Sequence, residues 1–414
     1  MKILLIDNFH YRRGGAEVVY LNTGDMLRAN GHKVVYFSQQ WEQNIRSEYN
    51  CYFPKGIEVS SARGLRKIKC VFNYFYNLEA AQQLNKLLKK FHPDIAHIHL
   101  FWGGLSPSIL NVLKQHHIPV VHTAHDYRMV CPSYAFKDGK GYICERCNAG
   151  NFLNCILRKC AKNNLPMSVL MTAEMYFRNT FFHPTKYIST FIFVSKFSRD
   201  KHIAHDKRFT MTKNEIMYNF SNSDVSSNAI AGIDTYSSYY LYYGRLSYEK
   251  GIETLILAFS QYRDKNLKIV GTGPLEQSLK EKCQNLNNIE FLGYKSGDDL
   301  YNIIRNAKYV CVTSECYENN PMTIIESYTL YTPVIGASIG GITEIVYNGS
   351  TGFAFESGNV TSLCAAINKS AKITQEEYFN MKYSAKKFAE THFNAHKYYE
   401  SLIKLYSETI NKMI

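Results

Sequence analysis

Residues 309–344 read YVCVTSECYENNPMTIIESYTLYTPVIGASIGGITE, and this stretch decides the fold. The apolar run Tyr309 to Thr313 has the length and composition of a buried strand. A polar loop with Glu315, Glu318, Asn319 and Asn320 follows, and Pro321 opens a helical segment that carries Glu326. Proline suits the first helical position, where its missing N–H is not needed and its fixed φ fits. Glu318 therefore sits in the loop before a helix N-terminus, and Glu326 lies about a turn and a half inside. After a second apolar run, Pro333 to Gly336, the Gly340–Gly341 pair lets backbone N–H groups approach a ligand closely. Strand, loop, helix and strand in this order form an α/β unit, whose ligands bind at the carboxyl ends of the strands. Ordinary α/β packing with solvated glutamates accounts for the same spacing, so both readings stand at this point.

Upstream the same alternation recurs. Strand 239–243 (YYLYY) leads into GRLSYEKG and a helix from about Ile252; strand 267–270 leads into GTGP; strand 289–292 meets Gly293. This predicts a parallel sheet over residues 239–393. The first half shows a second one. Residues 2–6 (KILLI) precede DNFHYRRGGAE and a helix from about Val18 to Asn30, with further strands at 33–38, 94–99, 118–122, 190–194 and 215–218. The pair Gly14–Gly15 is not a full dinucleotide fingerprint; it implies a tight turn and leaves a phosphate or sugar contact open. His125 and Asp126 follow the strand ending at His122, at a position where a His–Asp pair is a better site candidate than a lone histidine.

The chain has 414 residues and a formal net charge of +13. Residues 1–220 hold 30 Lys+Arg against 15 Asp+Glu, whereas residues 221–414 hold 18 against 20. One basic and one near-neutral half implies two jobs, and the basic half attracts phosphorylated ligands, anionic lipid or nucleic acid. From Ser60 to Lys90 seven basic residues face one acid, and Arg63, Arg66, Lys67 and Lys69 lie beside Val71, Phe72, Tyr74, Phe75 and Tyr76. Such a segment suits an anionic bilayer surface, or else a core helix with a solvated basic face. No run reaches the length a transmembrane helix requires and no signal peptide is visible, so the expected location is cytoplasmic.

Residues 131–160 form an insertion rich in cysteine. Cys144-x-x-Cys147 and Cys155-x4-Cys160 offer four thiolates to a tetrahedral zinc, with Cys131 left over; free thiols are the alternative. Residues 221–238 are rich in Ser, Asn and Asp and read as a linker. Residues 394–414 read as an amphipathic helix with Tyr398, Leu402, Leu405 and Ile410 near one face.

Four features in this order resemble the family 4 retaining glycosyltransferases: Gly14–Gly15, the TAHD segment at His125, GRLSYEKG with Arg245 and Lys250, and Glu318-x7-Glu326 followed by IGGITE. The cysteine insertion after HDY is similar to a bacterial polysaccharide-assembly branch. The resemblance implies the glycosyltransferase-B fold, two Rossmann-like domains facing across a cleft. Residues 1–220 would form an acceptor-side domain and residues 239–393 a nucleotide-sugar domain, with helix 394–414 crossing back onto the first. It implies a nucleotide-diphosphate sugar donor and a glycan or lipid-linked acceptor, with no cofactor required. Arg245 and Lys250 would stabilise the departing diphosphate, and Glu326 would hold the ribose hydroxyls. Glu318 would lie near the sugar, oriented by the Asn320–Pro321–Met322 backbone, with Gly340 and Gly341 beside the donor. His125 would face the sugar from the first domain, and Gly14–Gly15 the phosphates or acceptor. Asn319–Asn320–Pro321 and Thr343 depart from the family's commoner pattern at the sugar pocket. A nucleotide-sugar 2-epimerase of the same fold, a degenerate sugar-binding protein and a basic nucleic-acid-binding module are the alternatives. The last leaves both glutamates unexplained, so no nucleic-acid partner is expected.

Overall fold

Two six-stranded parallel sheets make up the computed structural model, which describes residues 1–59, 62–221 and 238–412. The chain divides into two compact units, residues 1–217 with 396–414, and residues 218–395. The expected linker falls almost wholly on residues 222–237, outside the described residues.

In unit 1 the strands are β1 (Lys2–Ile6), β2 (Lys33–Phe37), β3 (Ile95–Ile98), β4 (Val120–Ala124), β5 (Thr190–Phe193) and β6 (Lys213–Ile216), in the spatial order β2-β1-β3-β4-β5-β6. In unit 2 they are β7 (Tyr239–Tyr243), β8 (Asn266–Val270), β9 (Ile289–Gly293), β10 (Tyr309–Val312), β11 (Val334–Ala337) and β12 (Gly352–Phe355), in the order β12-β11-β10-β7-β8-β9. Every strand pair is parallel. A parallel sheet is covered by helices on both faces, so its central strands read as continuous apolar runs. Accordingly β3, β5, β10 and β11 are buried at every position, whereas edge strand β6 is half-buried throughout.

Each sheet has one point where the strand order reverses: between β1 and β3 in unit 1, and between β7 and β10 in unit 2. Loops leaving the two strands there part to opposite sides and open a crevice, the usual ligand position in open α/β sheets.

Boundaries shift in physically readable ways. The helix after the Gly–Gly turn starts at Gly15, not near Val18, because Gly14 itself is the extended N-cap and accepts the Val18 N–H at 3.0 Å. Pro321 is the N-cap of helix Met322–Thr329, with ψ 125°, rather than its first helical residue. Residues 60–90 divide into helices Gly64–Phe75 and Leu78–Lys90, because Asn77 caps the second by accepting the Ala80 N–H. Strand β12 carries no signal the sequence reading used.

The last helix, Ala395–Asn411, closes unit 1. It buries Tyr398, Leu402, Leu405, Tyr406 and Thr409, while Ile410 is only half-buried. Tyr406 Oη lies 2.7 Å from His97 Nδ1 on β3, Thr409 pairs with Thr190 on β5, and Lys213 on β6 forms an ion pair with Glu408. No helix among the described residues is long and apolar enough to cross a membrane.

Candidate active site

In unit 2, the loop after β7 and the loop after β10 meet across the reversal point. Lys250 Nζ donates to Glu318 Oε1 at 2.6 Å, and Ser314 Oγ donates to the same oxygen at 2.7 Å. The loops are stitched by Thr313 Oγ1 to the Lys250 carbonyl (3.0 Å) and by the Glu315 N–H to the Glu249 carbonyl (2.9 Å). Gly251 makes this approach possible: its φ is +63°, and a Cβ there would collide with the Thr313 carbonyl. Burial pushes the Glu318 carboxyl up, but Lys250 and Ser314 outweigh it and hold it below the ordinary range. Burial likewise opposes the charge on Lys250, and Glu318 outweighs it, so both shifts describe one ionised pair. A charged pair so placed presents a fixed cation in a partly desolvated loop, the arrangement that stabilises a developing oxyanion.

Arg245, in the same loop, is exposed and makes no hydrogen bond or ion pair among the described residues. Its own carbonyl accepts from Tyr242 Oη at 2.8 Å, which fixes the backbone and leaves the guanidinium to reach outward. Glu326 is half-buried on the helix that follows the Glu318 loop and bears on Tyr243, whose hydroxyl burial and Glu326 together push far up. Asn320 is held by Asn219, whose backbone N–H donates to Asn320 Oδ1 (2.7 Å) and whose Nδ2 donates to its carbonyl (3.0 Å). The Asn320 Nδ2 amide is buried without a partner among the described residues. Its side-chain donor capacity is unspent.

One N–H of the glycine pair is spent within the chain. The Gly341 N–H is committed to the Glu318 carbonyl at 2.7 Å, so it is not presented to a ligand. Gly340 has φ +59°, and a Cβ there would collide with the Glu318 backbone. Gly340–Gly341 thus set the position of the Glu318 loop.

In unit 1, His125 follows β4, and its Nε2 lies 2.8 Å from His99 Nδ1, the two rings stacked 5.0 Å apart. Burial lowers His125 to about 3, so its imidazole is neutral near pH 7. The Gly14–Gly15 turn lies close by in the same unit, because Glu17 in that helix's first turn interacts with Asp126. Burial raises Glu17, while backbone N–H groups, that of Gly14 included, donate to its carboxylate. The Glu17 carboxyl thus takes up backbone N–H groups at this helix start.

The four cysteines of the expected zinc set lie in one region, with Cys147 and Cys160 each bearing on Cys144 and Cys155. Cys147 and Cys155 pack with Phe152 and Met175 in a small apolar cluster against which Cys160 lies. All four thiols are free, and among the described residues no three His, Cys, Asp or Glu are grouped to hold a metal ion. Cys155 is lowered to about 7, first by its hydrogen bond with Cys160. Cys147 and Cys155 thus pack in the apolar cluster, and Cys155 and Cys160 form a polarised thiol pair.

Sequence reasoning missed Ser314, Thr313, Gly251, Asn219 and His99. Ser314 and Thr313 stood in the quoted stretch but carry no motif, and Asn219 and His99 reach their partners only through the fold.

Comparison with known proteins gives the family and the fold. A model described as Glycosyltransferase Family 4 matches residues 13–220, and one described as Glycosyl transferases group 1 matches residues 227–388. The chain is 26% identical over 361 residues to an uncharacterised 42.6 kDa protein in the cps region of Klebsiella pneumoniae, covering 83% of this chain and 87% of that one. It is 30% identical over 106 residues to the O-antigen biosynthesis glycosyltransferase WbnH of Escherichia coli, covering 26% and 30%. Among solved structures, sucrose-phosphate synthase from Thermosynechococcus elongatus superposes with a TM-score of 0.72 at 17% identity, covering 100% of both chains.

Proposed function

The chain belongs to glycosyltransferase family 4, a retaining glycosyltransferase, and from that premise we propose that it moves a sugar from a nucleotide-diphosphate donor to a glycan or lipid-linked acceptor in bacterial surface-polysaccharide assembly. Relatives in a cps region and in O-antigen biosynthesis support the pathway. The observation that carries the chemistry is the Lys250–Glu318 pair at the reversal point of unit 2, with the unpaired Arg245 guanidinium in the same loop.

As the glycosidic bond breaks, negative charge grows on the leaving diphosphate. Lys250 commits one N–H to Glu318 and has others for phosphate oxygens, and Arg245 adds a planar fork. Both charges stand in place before the reaction, so little reorganisation is required as the bond breaks. The acceptor hydroxyl attacks from the leaving-group face, and its proton passes to the departing phosphate oxygen, which retains the anomeric configuration. Glu318 holds Lys250 and borders the sugar, Glu326 accepts from the ribose hydroxyls, and the Asn320 amide contacts the sugar. Within unit 1, neutral His125 is suited to orient a hydroxyl group without adding charge.

Unit 1 would work at the cytoplasmic face of an anionic membrane. In helix Gly64–Phe75, Cys70 and Tyr74 are buried while Leu65 and Phe72 are 86% and 71% exposed, with Ile68 between them. A second helix adds to this surface: Leu165–Phe181 packs on the same helix through Phe75 and Phe177, and exposes Leu165, Val169 and Phe181. Arg63, Arg66, Lys67 and Lys69 are exposed around it, and no acid lies between Glu58 and Glu79. Exposed apolar side chains ringed by cations match a bilayer interface rather than a nucleic-acid groove.

The test is a screen of UDP-, GDP-, ADP- and dTDP-sugars for slow hydrolysis and thermal stabilisation. One donor should stabilise the protein, and Glu326→Gln should weaken it by about tenfold with little change in turnover, as for loss of a charged hydrogen bond. Lys250→Ala should cut turnover by about 10²–10³-fold, as for loss of an oxyanion donor. Wild-type turnover in Lys250→Ala would remove the pair from the chemistry.

A further inference from the structure

The loops that leave β1, β3 and β4 in unit 1 enclose a cavity of about 360 Å³, at the point where the strand order reverses. Phe9, Arg13, Trp102, Asp126, Arg128 and Tyr134 border it. The carboxyl groups in this region are engaged by backbone. Asp7 accepts the N–H groups of Phe9 (2.8 Å) and Leu100 (3.0 Å), Asp126 that of Arg128 (2.9 Å), and Glu17 that of Gly14.

The arginines bear on these carboxyls through space, Arg13 on Asp7 and Glu17 and Arg128 on Asp126, but give them no side-chain hydrogen bond. Arg13 is exposed, lies 4.0 Å over the Phe9 ring, and makes no hydrogen bond or ion pair among the described residues. Arg128 spends one N–H on the Trp102 carbonyl at 3.2 Å and lies 4.8 Å over the Tyr134 ring. Its Nε and the Trp102 Nε1 are buried without a partner. Trp102 is only 4% exposed, and an unpaired indole N–H there costs about 1–3 kcal/mol, so it calls for an explanation. A support lies underneath. Arg178, buried and ion-paired to Glu174 at 2.9 Å, lies 4.1 Å over the Trp102 ring and donates to the Arg128 carbonyl at 3.0 Å.

A cavity with unspent guanidinium and indole N–H donors, whose carboxyl groups already accept from backbone, selects a ligand rich in acceptors. Guanidinium groups bind carboxylate and phosphate oxygens in a bidentate manner, and the aromatic rings beside them suit a sugar face. We propose that this cavity binds an oxyanion of the acceptor, held between Arg13 and Arg128: the carboxylate of an acidic sugar or the phosphate of a lipid-linked one. The proposal rests on the glycosyltransferase reading above and adds the acceptor's charge to it.

The experiment measures binding of octyl glucuronide, geranyl diphosphate and octyl glucoside to the full-length protein by calorimetry. One of the anionic probes should bind at least about tenfold tighter than octyl glucoside, and which one identifies the oxyanion's source. Arg13→Gln and Arg128→Gln should each reduce that preference to about twofold; Arg13 is exposed, so its variant tests the point without threatening the fold. Equal binding of all three probes overturns the proposal. So does a preference that survives both substitutions, or one abolished instead by Arg245→Gln, which would place the anion in unit 2. Donor hydrolysis is measured on the same wild-type sample. Hydrolysis without an anion preference refutes the cavity assignment alone, whereas an anion preference with no turnover of any donor refutes the acceptor role along with the enzymatic reading.

Discussion

At the residue scale, the site depends on positions whose value is steric as much as chemical. Glu318 is charged because Lys250 and Ser314 reach it, and they reach it because Gly251 and Gly340 admit backbone where a Cβ would not fit. Gly340→Ala would force a side chain into a left-handed conformation and against the Glu318 backbone. It should destabilise unit 2 by more than about 1 kcal/mol and lower turnover, measured by urea unfolding alongside a transfer assay. Gly349→Ala offers the contrast: φ is +77° there too, but nothing lies within 4 Å, so stability should fall while turnover stays. Equal turnover in both variants would show that the Gly340 contact does not set the Glu318 loop. The glutamates, Arg245 and Lys250 were legible in the sequence because catalytic residue types at fixed spacing carry a signal. Ser314 and Asn219 were not, since a serine or asparagine in a polar loop has no spacing to distinguish it.

At the element scale, β3 and β4 carry a set of buried histidines. His97 and His122 are both lowered to about 3, by burial first, with His125 beside them. Their folded-state values lie below the ordinary 6.5, so between about pH 6.5 and 3 the unfolded chain binds more protons and stability falls as pH falls. Each such histidine costs about 1.4 kcal/mol per pH unit in that window, and there are at least two. Melting temperature should therefore drop steeply below pH 6, and His122→Gln should flatten the slope; a flat wild-type profile would contradict the burial. Helix Gly64–Phe75 makes a prediction of another kind. Leu65→Ser with Phe72→Ser, both exposed, should leave the melting temperature near wild type and reduce flotation with anionic vesicles several-fold. Undiminished flotation would remove this helix from the membrane contact. Amphipathicity was readable along residues 60–90, but which face turned outward was not, because that depends on the helix packed behind it.

At the scale of the whole molecule, the chain leaves unit 1 at Met217 and returns to it at His396. Unit 1 is thus discontinuous, and helix Ala395–Asn411 supplies Tyr398, Leu402, Leu405 and Tyr406 to its core. Residues 1–217 expressed alone should be poorly soluble and lack a cooperative melt, and adding a peptide of residues 396–414 should restore one. A cooperative melt of 1–217 by itself would show that the helix is dispensable. The sequence by itself determined that there are two parallel α/β halves, which family they belong to, and which charged residues stand at the strand ends. Apolar runs, turn residues and motif order are local properties, and they survive reading one residue at a time. The tertiary structure decided the strand order, and with it the two reversal points that open the crevices. It also decided that the Gly341 N–H supports the Glu318 backbone, and that Cys147 and Cys155 share an apolar cluster with Phe152 and Met175. Such outcomes depend on which loops are brought side by side, and strand order is set by the packing of the whole sheet rather than by any single segment.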